Sequence, residues 1–357
     1  RSTLFPYTTL FRSLDNMNYN PPVKRCRECV MPEITGVIEL NEDGVCHICS
    51  NDRGNAGNGG VSFDDKHAEE KLAIFRRKIE KMLRPDRTYD CAVAVSGGKD
   101  SIMTLYIAVK QLGLKPLAIF VDNGFALQEM YDNVRNATDI LGVDLIIYKT
   151  SDIVEMFKIF LKSGKKIYYC RACHAVLDLA INRICRQNNI NLVLGGYTKG
   201  QQYIKNTELF SIYDESDANA VEILSRDTRF SALCDLFKNQ NKYFHDHFGE
   251  INHLSPFKYV EWNEEKIIDV LKREMKFKLP ERSWPDKSSN CTFNYVAQYL
   301  AMRQFGFAQH ESELSGQVRS GELTRERALD IIETPIETED LIKPLSRLDM
   351  KIEDIVK

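Results

Sequence analysis

Six consecutive residues, Ser96-Gly97-Gly98-Lys99-Asp100-Ser101, bring together two glycines, two hydroxyls, a cation and a carboxylate. That mixture suits a bound phosphate. Glycine lets backbone approach an anion closely, and the free N–H groups that open a helix point at it. Ser96 and Ser101 can add hydroxyl donors and Lys99 positive charge, while Asp100 can orient a phosphate-bound Mg²⁺ through water. A serine-capped helix after a tight turn is the plainer alternative. The text carries neither the G-x-x-x-x-G-K-[ST] of a Walker loop nor the G-x-G-x-x-G of a dinucleotide fingerprint.

Ten cysteines supply the second kind of chemistry. Cys26-x-x-Cys29 and Cys46-x-x-Cys49 are two knuckles sixteen residues apart, with Gly44 before the second. Two residues between cysteines let both sulfurs reach one ion, and two knuckles complete a tetrahedral site, the pattern of structural zinc. His47 lies inside the second knuckle and is expected to face solvent. A closed site of four thiolates leaves no open position for catalysis, so its role would be to fold a small module. Cys170, Cys173 and the distant Cys291 form another set. Three cysteines could ligate a [4Fe–4S] cluster with one iron open, or zinc with His174 as a fourth ligand. Cys170 and Cys173 could also act as a redox or persulfide pair at a helix start, with Cys291 an unrelated buried residue. Cys91, Cys185 and Cys234 read as core residues.

Elements must position these groups. The apolar runs 91–95, 117–121, 144–148 and 191–195 read as buried strands, and helical patterns fill 100–112, 127–141, 151–162 and 173–188 between them. Continuous apolar strands alternating with amphipathic helices predict an α/β fold, a doubly wound parallel sheet covered on both faces. The phosphate loop then follows the first strand directly. Leu72, Phe75, Ile79 and Met82 share one face of a helix predicted over 66–83. Residues 200–255 interrupt the alternation and read as an insertion, where His245 and His247 are taken as exposed. Helical patterns return at 263–275, 293–304 and 324–333. The expected organisation is a zinc module with linker (17–62), the α/β domain (63–255) and a helical C-terminal region (256–357) that contributes Cys291. Residues 1–16 resemble translated sequencing adapter, with Met17 as the expected native start.

Composition excludes several classes. The net charge of −3 leaves no general nucleic-acid footprint, and the 43 % hydrophobic content is too high for a disordered chain. No run reaches the ~18–20 apolar residues of a membrane span, so a soluble protein is expected, and residues 1–13 lack the apolar core of a secretory signal, so the expected compartment is the cytoplasm. The basic stretch 162–171 contains Tyr168 and Tyr169 and could meet a phosphate-bearing substrate such as RNA, although a solvated turn is preferred.

SGGKDS in a strand–loop–helix setting resembles the PP-loop of the N-type ATP pyrophosphatases, or adenine nucleotide alpha hydrolases. The resemblance implies a Rossmann-like fold and cleavage of ATP between its α- and β-phosphates. A carbonyl or amide oxygen would be adenylated, and a sulfur or nitrogen nucleophile would then displace AMP. It also implies ATP contacts from Ser96 to Ser101, from Asp122 after the second strand, and from Gly195, Gly196 and Lys199 after the fourth. Lys99, Asp100, Cys170, Cys173 and Cys291 are the expected catalytic residues. The double CxxC text resembles the N-terminal module of two branches, the N-acetyl sugar amidotransferases of surface-polysaccharide assembly and the thioamide-forming ExsB-like proteins. Cys170, Cys173 and a later cysteine resemble the iron–sulfur triad of PP-loop tRNA thiolases, and the text from Ser288 onward looks most like the ExsB-like branch. The first expectation is therefore sulfur insertion from a cysteine- or cluster-bound donor. The alternative is ammonia-dependent conversion of an N-acetyl sugar, with a glutaminase partner. Either acts on a small or carrier-bound substrate. A tRNA is not favoured, and a homodimer is compatible with both.

Overall fold

A computed structural model of the chain describes residues 23–55, 68–198, 210–284 and 290–355. The expectations for 1–16 and for Lys199 lie outside the described residues.

Five strands form one parallel sheet: β1 (Cys91–Ala94), β2 (Pro116–Asp122), β3 (Asp144–Lys149), β4 (Leu192–Leu194) and β5 (Asn252–Leu254), ordered β3-β2-β1-β4-β5. Alternation along each strand explains why both faces are covered. Ala92, Leu117, Ile119 and Val193 enter one hydrophobic cluster, while Cys91, Val93, Ala118, Phe120, Leu192 and Leu194 enter the other. Successive side chains of a strand point to opposite faces, so each strand feeds two cores. Helices α2 (Ala68–Glu80), α3 (Lys99–Tyr106) and α4 (Gln128–Leu141) cover the second face, with Phe75 and Ile79 of α2 buried there. On the first face lie α5 (Asp152–Ser163) and α6 (Tyr169–Gln187).

Two expectations change. β3 is not buried: it is the sheet edge, and Ile147 and Tyr148 stand 43 % and 40 % exposed. Its apolar run resembled the central strands because period and composition do not reveal strand order. Within the stretch read as an insertion, the described residues also contribute to the sheet. The stretch contains α7 (Phe210–Leu224), α8 (Ser231–Lys238), α9 (Gln240–Phe248) and β5, which completes the sheet beside β4. Three residues of β5 are too few for a periodic signal.

The knuckles lead into α1 (His47–Asn55). Helix α10 (Glu264–Met275) joins the second face, and α11 (Asn294–Phe305), α12 (Gln309–Arg319), α13 (Arg325–Ile332) and α14 (Thr338–Ser346) form the C-terminal region. The cysteine module packs against this region: Val30 lies with Leu314, Ala328, Ile331 and Ile332. Arg325 donates to the Cys26 and Cys29 carbonyls, and Arg25 pairs with the fully buried Glu311. Among the described residues, no helix is long and apolar enough to cross a membrane.

Candidate active site

The strand order reverses between β1 and β4, and open α/β sheets bind ligands outside the strand C-termini at such a point. Both expected loops emerge there. Residues 96–101 run from β1 into α3, and Gly195-Gly196 leave β4. Gly97 adopts φ +83°, and a Cβ on it would lie 2.4 Å from the Met130 carbonyl oxygen. A Cβ on Gly196 would lie 2.7 Å from the Asp100 carbonyl carbon and the Ser101 nitrogen. Only glycine allows the two loops to meet so closely. The Ser101 hydroxyl accepts from the Ser96 N–H at 3.0 Å and donates to the Gly98 carbonyl at 3.0 Å, which fixes the loop.

Lys99 is 2 % exposed, and its Nζ lies 3.2 Å from Asp100 Oδ2 and 3.4 Å from Glu264 Oε1. Burial alone would push its pKa down, but the two carboxylates outweigh this and hold it above the ordinary lysine value. Trp262 donates from Nε1 to Asp100 Oδ1 at 2.6 Å. Asp100 is thus oriented between an indole and an ammonium. Glu264 and Trp262 were not singled out from sequence. They lie about 160 residues further on and carry no motif.

Asn290 is another residue that sequence reasoning missed. Its side-chain amide donates to Ser96 Oγ at 2.7 Å. The segment holding it runs along 125–127: Leu127 N–H donates to the Asn290 carbonyl at 3.2 Å and Thr292 N–H to the Phe125 carbonyl at 2.8 Å. This latch carries Cys291 to the end of β2. There Asn123 Nδ2 lies 3.6 Å from Cys291 Sγ and 3.8 Å from Cys173 Sγ. The Cys170 thiol donates to Asn294 Oδ1 at 3.3 Å, one helical turn beyond Cys291. All three cysteines therefore gather in one region. Burial pushes the Cys173 and Cys291 thiols above their ordinary pKa. His174 is exposed on α6, and Tyr168 and Tyr169 are buried, so neither ring is available for base stacking. On α9, His247 Nδ1 lies 2.9 Å from the Tyr243 carbonyl.

Asp122 is 4 % exposed and accepts from the Gly124 N–H at 2.8 Å, the bond of an Asx turn. It borders a cleft of about 420 Å³ lined also by Tyr131, Arg135, Lys149 and Arg347. Burial, then the bond to Asp122, push the Tyr131 phenol up to about 12.

The four knuckle sulfurs lie within 4.8 Å of one another, the one such group of His, Cys, Asp or Glu ligand atoms among the described residues. Cys26 Sγ to Cys49 Sγ and Cys29 Sγ to Cys46 Sγ are each 3.8 Å. A disulfide would require about 2.05 Å. A tetrahedron with metal–sulfur bonds of about 2.3 Å has edges of about 3.8 Å, so the donor set fits a tetrahedral metal ion. Arg319 donates to Cys29 Sγ at 3.6 Å, and His47 is exposed.

A parallel sheet with a phosphate loop at its reversal point defines a nucleotide-using α/β protein. The family described as phosphoadenosine phosphosulfate reductase domain matches residues 90–224, which contain that loop. That match covers 135 of the 357 residues and agrees with the resemblance of the loop to the PP-loop ATP pyrophosphatases. Residues 289–354 match a second family, described as LPS biosynthesis protein WbpG-like, C-terminal domain. An uncharacterized protein of Methanocaldococcus jannaschii is 22 % identical over 281 residues, 78 % of this chain and 86 % of its own. Sulfate adenylyltransferase subunit 2 of Mycolicibacterium gilvum is 27 % identical over 169 residues, 45 % of this chain and 49 % of its own. Among solved structures, the U34-tRNA thiolase NcsA of Methanococcus maripaludis with its [4Fe-4S] cluster aligns with a TM-score of 0.35 and 15 % identity, covering 87 % of this chain and 88 % of that one.

Proposed function

We propose that this chain is an ATP-dependent enzyme of surface-polysaccharide assembly that replaces the acetamido oxygen of an N-acetylated sugar with nitrogen from ammonia. One observation carries the reading. The segment Asn290–Thr292, inside the region matched by the LPS biosynthesis domain, is latched beside the PP-loop with Asn290 bonded to Ser96. The region that resembles a polysaccharide-biosynthesis family thus lies against the phosphate loop, which supports a substrate of that class.

The acetamido oxygen attacks the α-phosphorus of ATP, and the bond to the β-phosphate oxygen breaks to release pyrophosphate. Ammonia adds to the resulting O-adenylyl imidate carbon. The C–O bond then breaks, AMP leaves, and one proton goes to solvent as the amidinium forms. Lys99 and the backbone N–H groups that open α3 would stabilise the leaving pyrophosphate, where fixed donors are worth most. Mg²⁺ held on the phosphates would supply charge neutralisation, with Asp100 oriented toward its water shell. Zinc suits the four-cysteine site, which is closed and has a structural role. Through Arg25, Arg319 and Arg325 it would anchor the C-terminal helices that carry the latch. The test is formation of AMP and pyrophosphate, equal in amount, that requires both an N-acetyl sugar and ammonium.

The gathering of Cys170, Cys173 and Cys291 favours a second reading, sulfur insertion from a cysteine- or [4Fe–4S]-bound donor. Two features weigh against it. The Asn123 amide holds the place between Cys173 and Cys291 that a cluster would need, and burial favours thiols over nucleophilic thiolates. Anaerobic purification with zinc, iron and sulfide counted per chain separates the two. One zinc without iron supports nitrogen transfer, whereas about four irons support sulfur transfer.

A further inference from the structure

The phosphate loop carries an anion of its own. Asp100 is the second residue of α3, and Gly98, the N-cap, has no side chain to cap the helix. The first intrahelical bond runs from the Ile102 N–H to the Gly98 carbonyl, so the Asp100 and Ser101 N–H groups lie ahead of the helical ladder. A carboxylate in the first turn is drawn to those groups by the helix dipole, and aspartate commonly bonds neighbouring backbone N–H groups. Left to itself, Asp100 would compete with a phosphate for the donors that a phosphate needs.

The structure holds the carboxylate elsewhere. Asp100 Oδ1 accepts from Trp262 Nε1 at 2.6 Å, and Asp100 Oδ2 lies 3.2 Å from Lys99 Nζ. Lys99 Nζ lies over the same indole, 5.7 Å from the ring centroid. Trp262 is itself anchored. The next residue, Asn263, caps α10 by accepting from the Lys266 N–H at 3.0 Å. α10 is tied to α3 at both ends, by Glu264 Oε1 at 3.4 Å from Lys99 Nζ and by the Tyr106 hydroxyl donating to Glu274 Oε2 at 3.0 Å. Ile267, Leu271 and Met275 bury one face of α10 in the core on the second side of the sheet. The indole N–H therefore reaches Asp100 from a fixed platform. Trp262 lies outside both matched families, which span 90–224 and 289–354.

We infer that Trp262 is a positioning residue for nucleotide binding: its indole N–H holds the Asp100 carboxylate away from the first turn of α3 and leaves the N–H groups there to the phosphates. This rests on the reading of the loop as an ATP site and is independent of whether nitrogen or sulfur is transferred. The effect is on the population able to bind. If a released carboxylate occupies the first turn about nine-tenths of the time, apparent ATP affinity falls about tenfold.

Trp262→Phe keeps an aromatic ring in place and removes the N–H. The side chain is only partly buried, so the variant should fold, and its thermal midpoint checks this. The probe is ATP in excess EDTA, so that no divalent ion recruits Asp100. Calorimetry follows binding in wild type, Trp262→Phe, Asp100→Ala and the double variant. The inference expects Trp262→Phe to weaken ATP binding about tenfold. It expects Asp100→Ala to bind no more weakly than wild type, and the double variant to bind as Asp100→Ala does, because the competing carboxylate is gone. An indole that merely packs the loop would instead cost the same in both backgrounds. That result, or unaltered binding in Trp262→Phe, overturns the inference. Wild type that binds ATP with Mg²⁺ but not in EDTA also overturns it and leaves the ATP reading standing. No binding under either condition overturns both.

Discussion

Substituting alanine for Gly196 isolates the contact between the two loops. Its added Cβ would sit 2.7 Å from the Asp100 carbonyl carbon and the Ser101 nitrogen, backbone atoms that cannot rotate away. Ordinary contact begins near 3.4 Å, so the β4 loop must retreat by about 0.7 Å from the start of α3. Gly196 has no positive φ, so the variant carries no added backbone strain. The whole cost falls on loop spacing, where a displacement approaching 1 Å lowers turnover by about 10²-fold. Gly113 is the control. It has φ +68°, and a Cβ added there would meet nothing within 4 Å, so alanine strains the backbone and touches nothing. That costs about 1–2 kcal/mol of stability and no activity. The assay is ATP-dependent pyrophosphate release beside a urea unfolding curve for each variant. Gly196→Ala should lose about 10²-fold in release, and Gly113→Ala should lose only stability. Full activity in Gly196→Ala, or equal activity losses in both, would refute the reasoning that the two loops enclose one phosphate site.

Other outcomes follow from burial and charge. Burial holds Cys173 and Cys291 above the ordinary thiol pKa, so they stay protonated at pH 8, and their alkylation by iodoacetamide should still be accelerating above pH 9. Peptide mass spectrometry that finds Cys291 modified at pH 7 as fast as free cysteine contradicts this. Arg25→Ala leaves Glu311 buried without its partner, which costs about 3–5 kcal/mol. Burial lifts the Glu311 carboxyl above its ordinary value even against Arg25. A carboxyl raised in the folded state favours folding most at low pH, so the deficit should shrink as pH falls and Glu311 takes up its proton. Urea midpoints at two pH values check both points, and Arg25→Ala with Glu311→Gln should recover most of the loss. With zinc bound at the four cysteines as proposed, a chelator should strip amide-exchange protection from α12 and α13 before it affects the central strands, because those helices hold the knuckle through Arg319, Arg325 and Val30.

Much of this was readable in the sequence, for physical reasons. The central strands declared themselves because β1, β2 and β4 bury both faces and so appear as unbroken apolar runs. The phosphate loop was recognisable because close approach to an anion demands glycine at fixed spacing. The four knuckle cysteines were readable because a tetrahedral ion constrains their separation. What stayed hidden depends on tertiary pairing. Glu264, Trp262 and Asn290 act on the loop from distant segments, and nothing in their local text separates them from ordinary surface residues. β5 is three residues long and reads as loop.

The central claim is that a carbonyl oxygen of the substrate attacks ATP, and oxygen labelling tests it most directly. An N-acetyl sugar carrying ¹⁸O in the acetyl group is incubated with enzyme, ATP, Mg²⁺ and ammonium, and the AMP formed is weighed. The account predicts that AMP gains one ¹⁸O for each pyrophosphate released. AMP that forms without the label would contradict it, because the α-phosphate would then have been taken by water.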